Sequence, residues 1–102
     1  MTVGGGTSLI QRDVELLFFE GCPHAERARR NLRAALEMAG VAPTWREWDL
    51  ANDVTPERYR RHGSPTVLVD GEDVTGDRGT AAAMACRTDG APSVEEISKR
   101  LR

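Results

Sequence analysis

An apolar run with both faces filled, residues 14–19, breaks at Gly21-Cys22-Pro23 and gives way to a helical repeat. That switch of period, from two to three-and-four, restricts the fold of this chain more than anything else in it. Val14, Leu16 and Phe18 share one face and Leu17 and Phe19 the other, the pattern of a central strand covered on both sides. Ala25, Ala28, Leu32, Ala35, Leu36 and Ala39 then recur at threes and fours, which predicts a helix with a narrow, Ala-rich buried stripe. Pro23 suits the first helical turn, where its missing N–H costs nothing, and Gly40 is a good C′ stop. After Pro43, residues 44–50 read as a second strand, with Trp45 and Trp48 facing opposite ways. Strand–helix–strand spacing of this kind requires a right-handed crossover and parallel pairing.

Thr55-Pro56 begins a short helix that runs to about His62, and Gly63-Ser64-Pro65 breaks the chain ahead of a third strand, residues 66–70. Asp70-Gly71 turns that strand back into residues 73–75 as an antiparallel hairpin. Residues 79–87 read as a short Ala-rich helix. Ser93 and Glu96 form a capping box for a last helix whose buried face is Val94, Ile97 and Leu101. The order β-α-β-α-β-β-α predicts an α/β protein with a mixed four-stranded sheet and helices on both faces. Residues 1–11, with Gly4-Gly5-Gly6, read as a flexible tail, and residues 12–102 as a single domain.

Composition sets limits on function. At 102 residues, 39% hydrophobic and 29% charged, the chain reads as a globular domain with one core. A net charge of −2 gives no general attraction to nucleic acid. Arg27, Arg29, Arg30 and Arg33 spread around the first helix and read as a solvated face. No apolar run approaches the ~18 residues of a membrane span, and the first residues lack a secretory pattern, so the expected location is cytoplasmic. The expected state is a monomer or weak homodimer. Cys22 and Cys86 are too few for a disulfide scaffold and match no zinc spacing. Asp70, Asp73 and Asp77 surround a turn rather than a calcium loop. His62, ending a charged helix, is expected in solvent. No cofactor and no resident metal site are predicted.

The chemistry centres on Cys22. A cysteine between a strand end and a helix start, read here as the helix N-cap, meets unpaired N–H groups and the helix dipole, both of which favour a thiolate. His24 in the same turn is either an exposed modulator or a general base, while Glu20 and Glu26 oppose the thiolate if close. The competing reading of Cys22 is an inert cap. Position 25, where a dithiol motif would carry its second cysteine, is Ala25. Cys86 has two readings: a small buried hydrophobe on the Ala-rich helix, or a second thiol, if the two Cα atoms lie within about 7 Å. Cys22, His24 and Cys86 would suit a soft ion such as Hg²⁺ or Cu⁺ better than Zn²⁺.

Three motifs, Gly21-Cys22-Pro23-His24, Ser64-Pro65-Thr66 and Val67-Leu68-Val69-Asp70-Gly71, in this order and spacing, resemble the thioredoxin-fold thiol oxidoreductase family. The likeness covers residues 12–101. It implies that Cys22 is the nucleophile and that Pro65 is cis and faces it. Ser64, Pro65 and Thr66, with Pro23 and His24, would then line the pocket for a disulfide- or thiol-containing substrate, either a protein or a small thiol. Ala25 departs from the family pattern and excludes exchange within a Cys-x-x-Cys loop. The resemblance then implies a monothiol protein, or one resolved by Cys86 or by a small thiol such as glutathione. Ala85-Cys86-Arg87, followed by the Gly/Pro turn at 90–92, is faintly similar to small thioredoxin-like proteins labelled alkylmercury lyase-like. The alternative function is a thiol module that binds a soft metal, an organomercurial or a persulfide without redox turnover.

Overall fold

β1, Val14–Phe18, is buried along its first four residues and lies at the centre of the sheet. It pairs in parallel with β2, Arg46–Asp49, on one side and antiparallel with β3, Thr66–Val69, on the other. The two-residue strand β4, Glu72–Asp73, completes the order β2-β1-β3-β4. The computed structural model describes residues 10–60, 62–76 and 91–101. The Ala-rich helix expected over residues 79–87, and Cys86 with it, lie outside the described residues.

α1, Ala25–Met38, buries Ala25, Ala28, Leu32, Ala35 and Leu36 of the stripe read from its spacing; Ala39, expected in that stripe, is instead the exposed C-cap. It stops as its sequence demands. Gly40 takes φ +72°, its N–H bonds the Glu37 carbonyl, and the Val41 N–H bonds the Leu36 carbonyl. That is a full Schellman motif, and its usual apolar contact follows, because Leu36 and Val41 sit in one core cluster. Ile10 bridges Val41 in parallel. α2, Val94–Leu101, begins at the predicted capping box, with Ser93 and Glu96 exchanging two 3.0 Å bonds. It packs against α1. The principal core joins both helices to the sheet face bearing Val14, Leu16, Val67 and Val69, and includes Ile97 and Leu101.

One expected element differs. Among the described residues, both α-helices lie on one face of the sheet. The opposite face is covered by Leu50, Tyr59 and partly buried Trp48, over Leu17 and Leu68. The helix expected from Thr55 to His62 is a single 3-10 turn, Glu57–Tyr59. Its N–H groups reach three residues back, Tyr59 to Pro56, Arg60 to Glu57 and His62 to Tyr59. Pro56 enters it in an extended conformation and Gly63 follows soon after, so the stretch is too short to build α-helical turns. The strands are also shorter than read. The hairpin turn has positive φ at both Asp70 and Gly71, the type I′ geometry that Asp-Gly favours. β4 then ends at Asp73, whose carboxylate accepts the Thr75 N–H and hydroxyl and turns the chain.

Candidate functional site

Past β1 the chain tightens into a turn, with the Cys22 N–H on the Phe19 carbonyl and Gly21 at φ +87°. The residue that caps α1 is His24, without a side-chain bond, so the N-cap role read for Cys22 is corrected. Cys22 lies two residues earlier and receives the Ala25 N–H on its carbonyl. Pro23 occupies the turn before the helix instead of its first turn. Pro23 is exposed and His24 half-buried.

Cys22 is 8% exposed, and its Sγ donates to the Ser64 carbonyl at 3.6 Å. Ser64 is fully buried. Its Oγ accepts the Phe19 N–H at 3.3 Å, and the Ser64–Pro65 peptide is cis. Thr66 turns its Oγ1 to the Gly63 carbonyl at 2.7 Å. The structure thus brings Cys22 against the Ser64 carbonyl, carries Thr66 at the start of β3, and leaves Pro23 exposed and His24 half-buried. A thiol that donates to a carbonyl is favoured in its protonated form, so nucleophilic use of this sulfur requires the contact to open or to exchange for a substrate. Among the described residues no group of three or more His, Cys, Asp or Glu side chains could hold a metal ion.

A second constellation lies on the sheet face away from the helices. Neighbours across a ladder point to the same face, and the register runs Arg46, Glu15, Leu68, Asp73 from β2 to β4. Glu15 is 2% exposed. Its carboxylate accepts the Tyr59 hydroxyl at 2.9 and 2.8 Å and the Trp48 indole N–H at 2.8 Å, with Arg46 at 3.4 Å. Burying a carboxylate costs several kcal/mol unless donors meet it, and here three side chains do. Burial, and then the bond to Glu15, push the Tyr59 phenol above its ordinary pKa of 10.0. The Tyr59 ring sits 5.6 Å from Trp48 and carries the Arg58 guanidinium at 4.6 Å. A cleft of about 630 Å³ opens beside this cluster, between Asp13, Arg46, Pro56, Arg58, His62 and Asp70.

His62 is another correction. Only 14% of its side chain is exposed, and its Nδ1 faces the buried Asp73 carboxylate at 3.7 Å. Asp73 therefore does more than shape the turn. The helical arginines are not all solvated either. Arg29 grips Glu47 on β2 through two bonds of 2.9 and 3.1 Å. Burial works against the Glu47 charge, but the bonds from Arg29 and Trp45 outweigh it and hold the carboxyl below its usual range. The two Arg29–Glu47 bonds fasten α1 to the sheet edge.

Glu15 and Tyr59 were not marked as site residues by the sequence. The available signal was a carboxylate on the inner face of a strand otherwise apolar on both sides. Such a group must find donors, and the chain has a single tyrosine. Comparison of the chain with protein-family models, curated proteins and solved structures gives no match in any of the three.

Proposed function

We propose that this chain is a thioredoxin-like thiol protein in which Cys22 exchanges with disulfides. The observation that carries the reading is the buried Cys22 Sγ lying 3.6 Å from the Ser64 carbonyl. This places a sulfur at the end of the central strand against the loop that enters the antiparallel strand β3. The mixed four-stranded sheet, with β1 and β2 parallel and β3 and β4 an antiparallel hairpin, supports the reading. In the reaction the Cys22 thiol loses its proton, and the thiolate attacks one sulfur of a substrate disulfide. A Cys22–substrate mixed disulfide forms as the other substrate sulfur leaves as a thiolate. A second thiolate then attacks the mixed disulfide and releases the remaining substrate thiol. Cys86 or a small thiol such as glutathione supplies that group, which becomes oxidised while the substrate is reduced.

The test is mixed-disulfide formation with glutathione disulfide, followed by mass, in the wild type and in Cys22→Ser. The wild type gains one glutathione on Cys22 and the variant gains none at that position. An adduct of equal yield in Cys22→Ser, or an inert Cys22 in the wild type, overturns the reading. The inert result, combined with stoichiometric Hg²⁺ binding that blocks Cys22 alkylation, would favour the alternative of a soft-metal or organomercurial module.

A further inference from the structure

We propose that Tyr59 and Glu15 are positioning residues for the thiol site, holding the Ser64 carbonyl against Cys22 from the far side of the sheet. This rests on the reading that Cys22 is the reactive group. Two short stretches carry the partners. One runs from Glu15 along β1 to Cys22, the other from Tyr59 through Gly63 to Ser64. They are tied together at three levels: the Tyr59 hydroxyl on both Glu15 oxygens, the Phe19 N–H on Ser64 Oγ, and the Cys22 thiol on the Ser64 carbonyl. Among the described residues the covering segment is built on a 3-10 turn, Glu57–Tyr59, whose geometry is weaker than that of an α-helix. Its place over the sheet therefore depends on side-chain anchors. Tyr59, itself 8% exposed, bonds directly to Glu15 on β1, the strand that also leads to Cys22. When that anchor is lost, the segment loosens, the Ser64 carbonyl moves away from the sulfur, and a thiol-favouring acceptor and its cover are lost together.

The experiment uses the full chain with Cys86→Ser, so that Cys22 alone reports. Alkylation by iodoacetamide is followed across pH in this background, with Tyr59→Phe, and with Ile97→Ala. The last variant loses stability through a cavity under α2, away from the loop. Tyr59→Phe keeps the ring against Trp48 and removes only the hydroxyl. It should alkylate about fivefold faster near neutral pH, the ratio given by one hydrogen bond of ordinary net strength, with the midpoint of the pH profile moved down. Ile97→Ala should stay near the parent rate with an unmoved midpoint. An unchanged profile in Tyr59→Phe overturns the proposal, as does an equal acceleration in Ile97→Ala, which would report global unfolding. The glutathione assay separates the two ideas. If the wild type forms the adduct while Tyr59→Phe leaves the profile unmoved, the thiol reading stands and the positioning role falls. If Tyr59→Phe shifts the profile but the wild type forms no adduct, positioning stands and disulfide exchange falls.

Discussion

The strongest energetic claim concerns the carboxylate on the sheet face away from the helices, and a double-mutant cycle on Glu15 and Tyr59 tests it. Tyr59→Phe removes a hydroxyl that reaches both oxygens of a buried carboxylate. Hydrogen bonds to charged groups contribute about 1.5–3 kcal/mol, so a loss of about 2 kcal/mol is expected. Glu15 keeps Trp48 and Arg46 as partners. Glu15→Met removes the charge but strands the Tyr59 hydroxyl and the Trp48 N–H. An unpaired buried donor costs about 1–3 kcal/mol, and half-buried Trp48 lies toward the low end, so a loss of about 2–3 kcal/mol follows. The double variant leaves only the Trp48 N–H unpaired and should lose about 1 kcal/mol. It should therefore be more stable than either single variant, with a coupling of about 3–4 kcal/mol. The assay is chemical denaturation with matched m values. In thermal melts each single variant should fall by roughly 10 °C, since about 1 kcal/mol corresponds to about 4–8 °C in a domain this size. Single losses that add to within about 0.5 kcal/mol would refute the reasoning, because they would mean that Tyr59 and Glu15 each satisfy themselves with water.

The same pair governs the alkaline limb. The Tyr59 phenol is raised above 10.0 by burial and then by its bond to Glu15, so the fold prefers the protonated phenol. That contribution is whole below pH 10 and is lost as pH rises through the folded-state value. Unfolding free energy measured from pH about 8 to about 11 should fall more steeply in the wild type than in Tyr59→Phe, and parallel curves would count against the assignment. At the end of α1, Gly40→Ala isolates a backbone cost, because φ is +72° and a Cβ there meets nothing within 4 Å. A loss of about 1–2 kcal/mol in denaturation is expected, and a neutral or stabilising result would show that the Schellman turn is not held in solution.

How much of this was legible in the sequence follows from the range of the interactions. α1, its Gly40 stop, the Ser93–Glu96 box and the Asp70-Gly71 hairpin are local devices, and each residue type states its own conformation. The central position of β1 was legible because, Glu15 apart, both of its faces are apolar, and only a covered strand tolerates that. The segment after β2 was misread because its composition suits a helix, while its length between Pro56 and Gly63 leaves room only for a 3-10 turn. His62 read as solvated because its neighbours are charged, yet the hairpin brings Asp73 beneath it. At the thiol, strand-to-helix placement identified Cys22 as the group to examine. Its acceptor on the Ser64 carbonyl depends on how β3 returns beside β1, a long-range contact that no local pattern encodes.

The misread segment and the buried acids are two sides of one arrangement. In this short turn Tyr59 is the buried residue, and apolar contact, which is non-directional, does not by itself fix its register over the sheet. The row beneath it is not uniform. Glu15 and Asp73 lie on either side of Leu68, about 9.5 Å apart at ordinary strand spacing. The segment above presents Tyr59 to the first and His62 to the second. Any slip that moved Tyr59 off Glu15 would deprive a buried carboxylate of one of its donors, a cost that adds to re-exposing the Tyr59 ring. The polar row therefore fixes which residues of the segment stand over which strand. Gly63 and Ser64 follow directly from His62, so the same constraint determines where the Ser64 carbonyl meets the sulfur of Cys22.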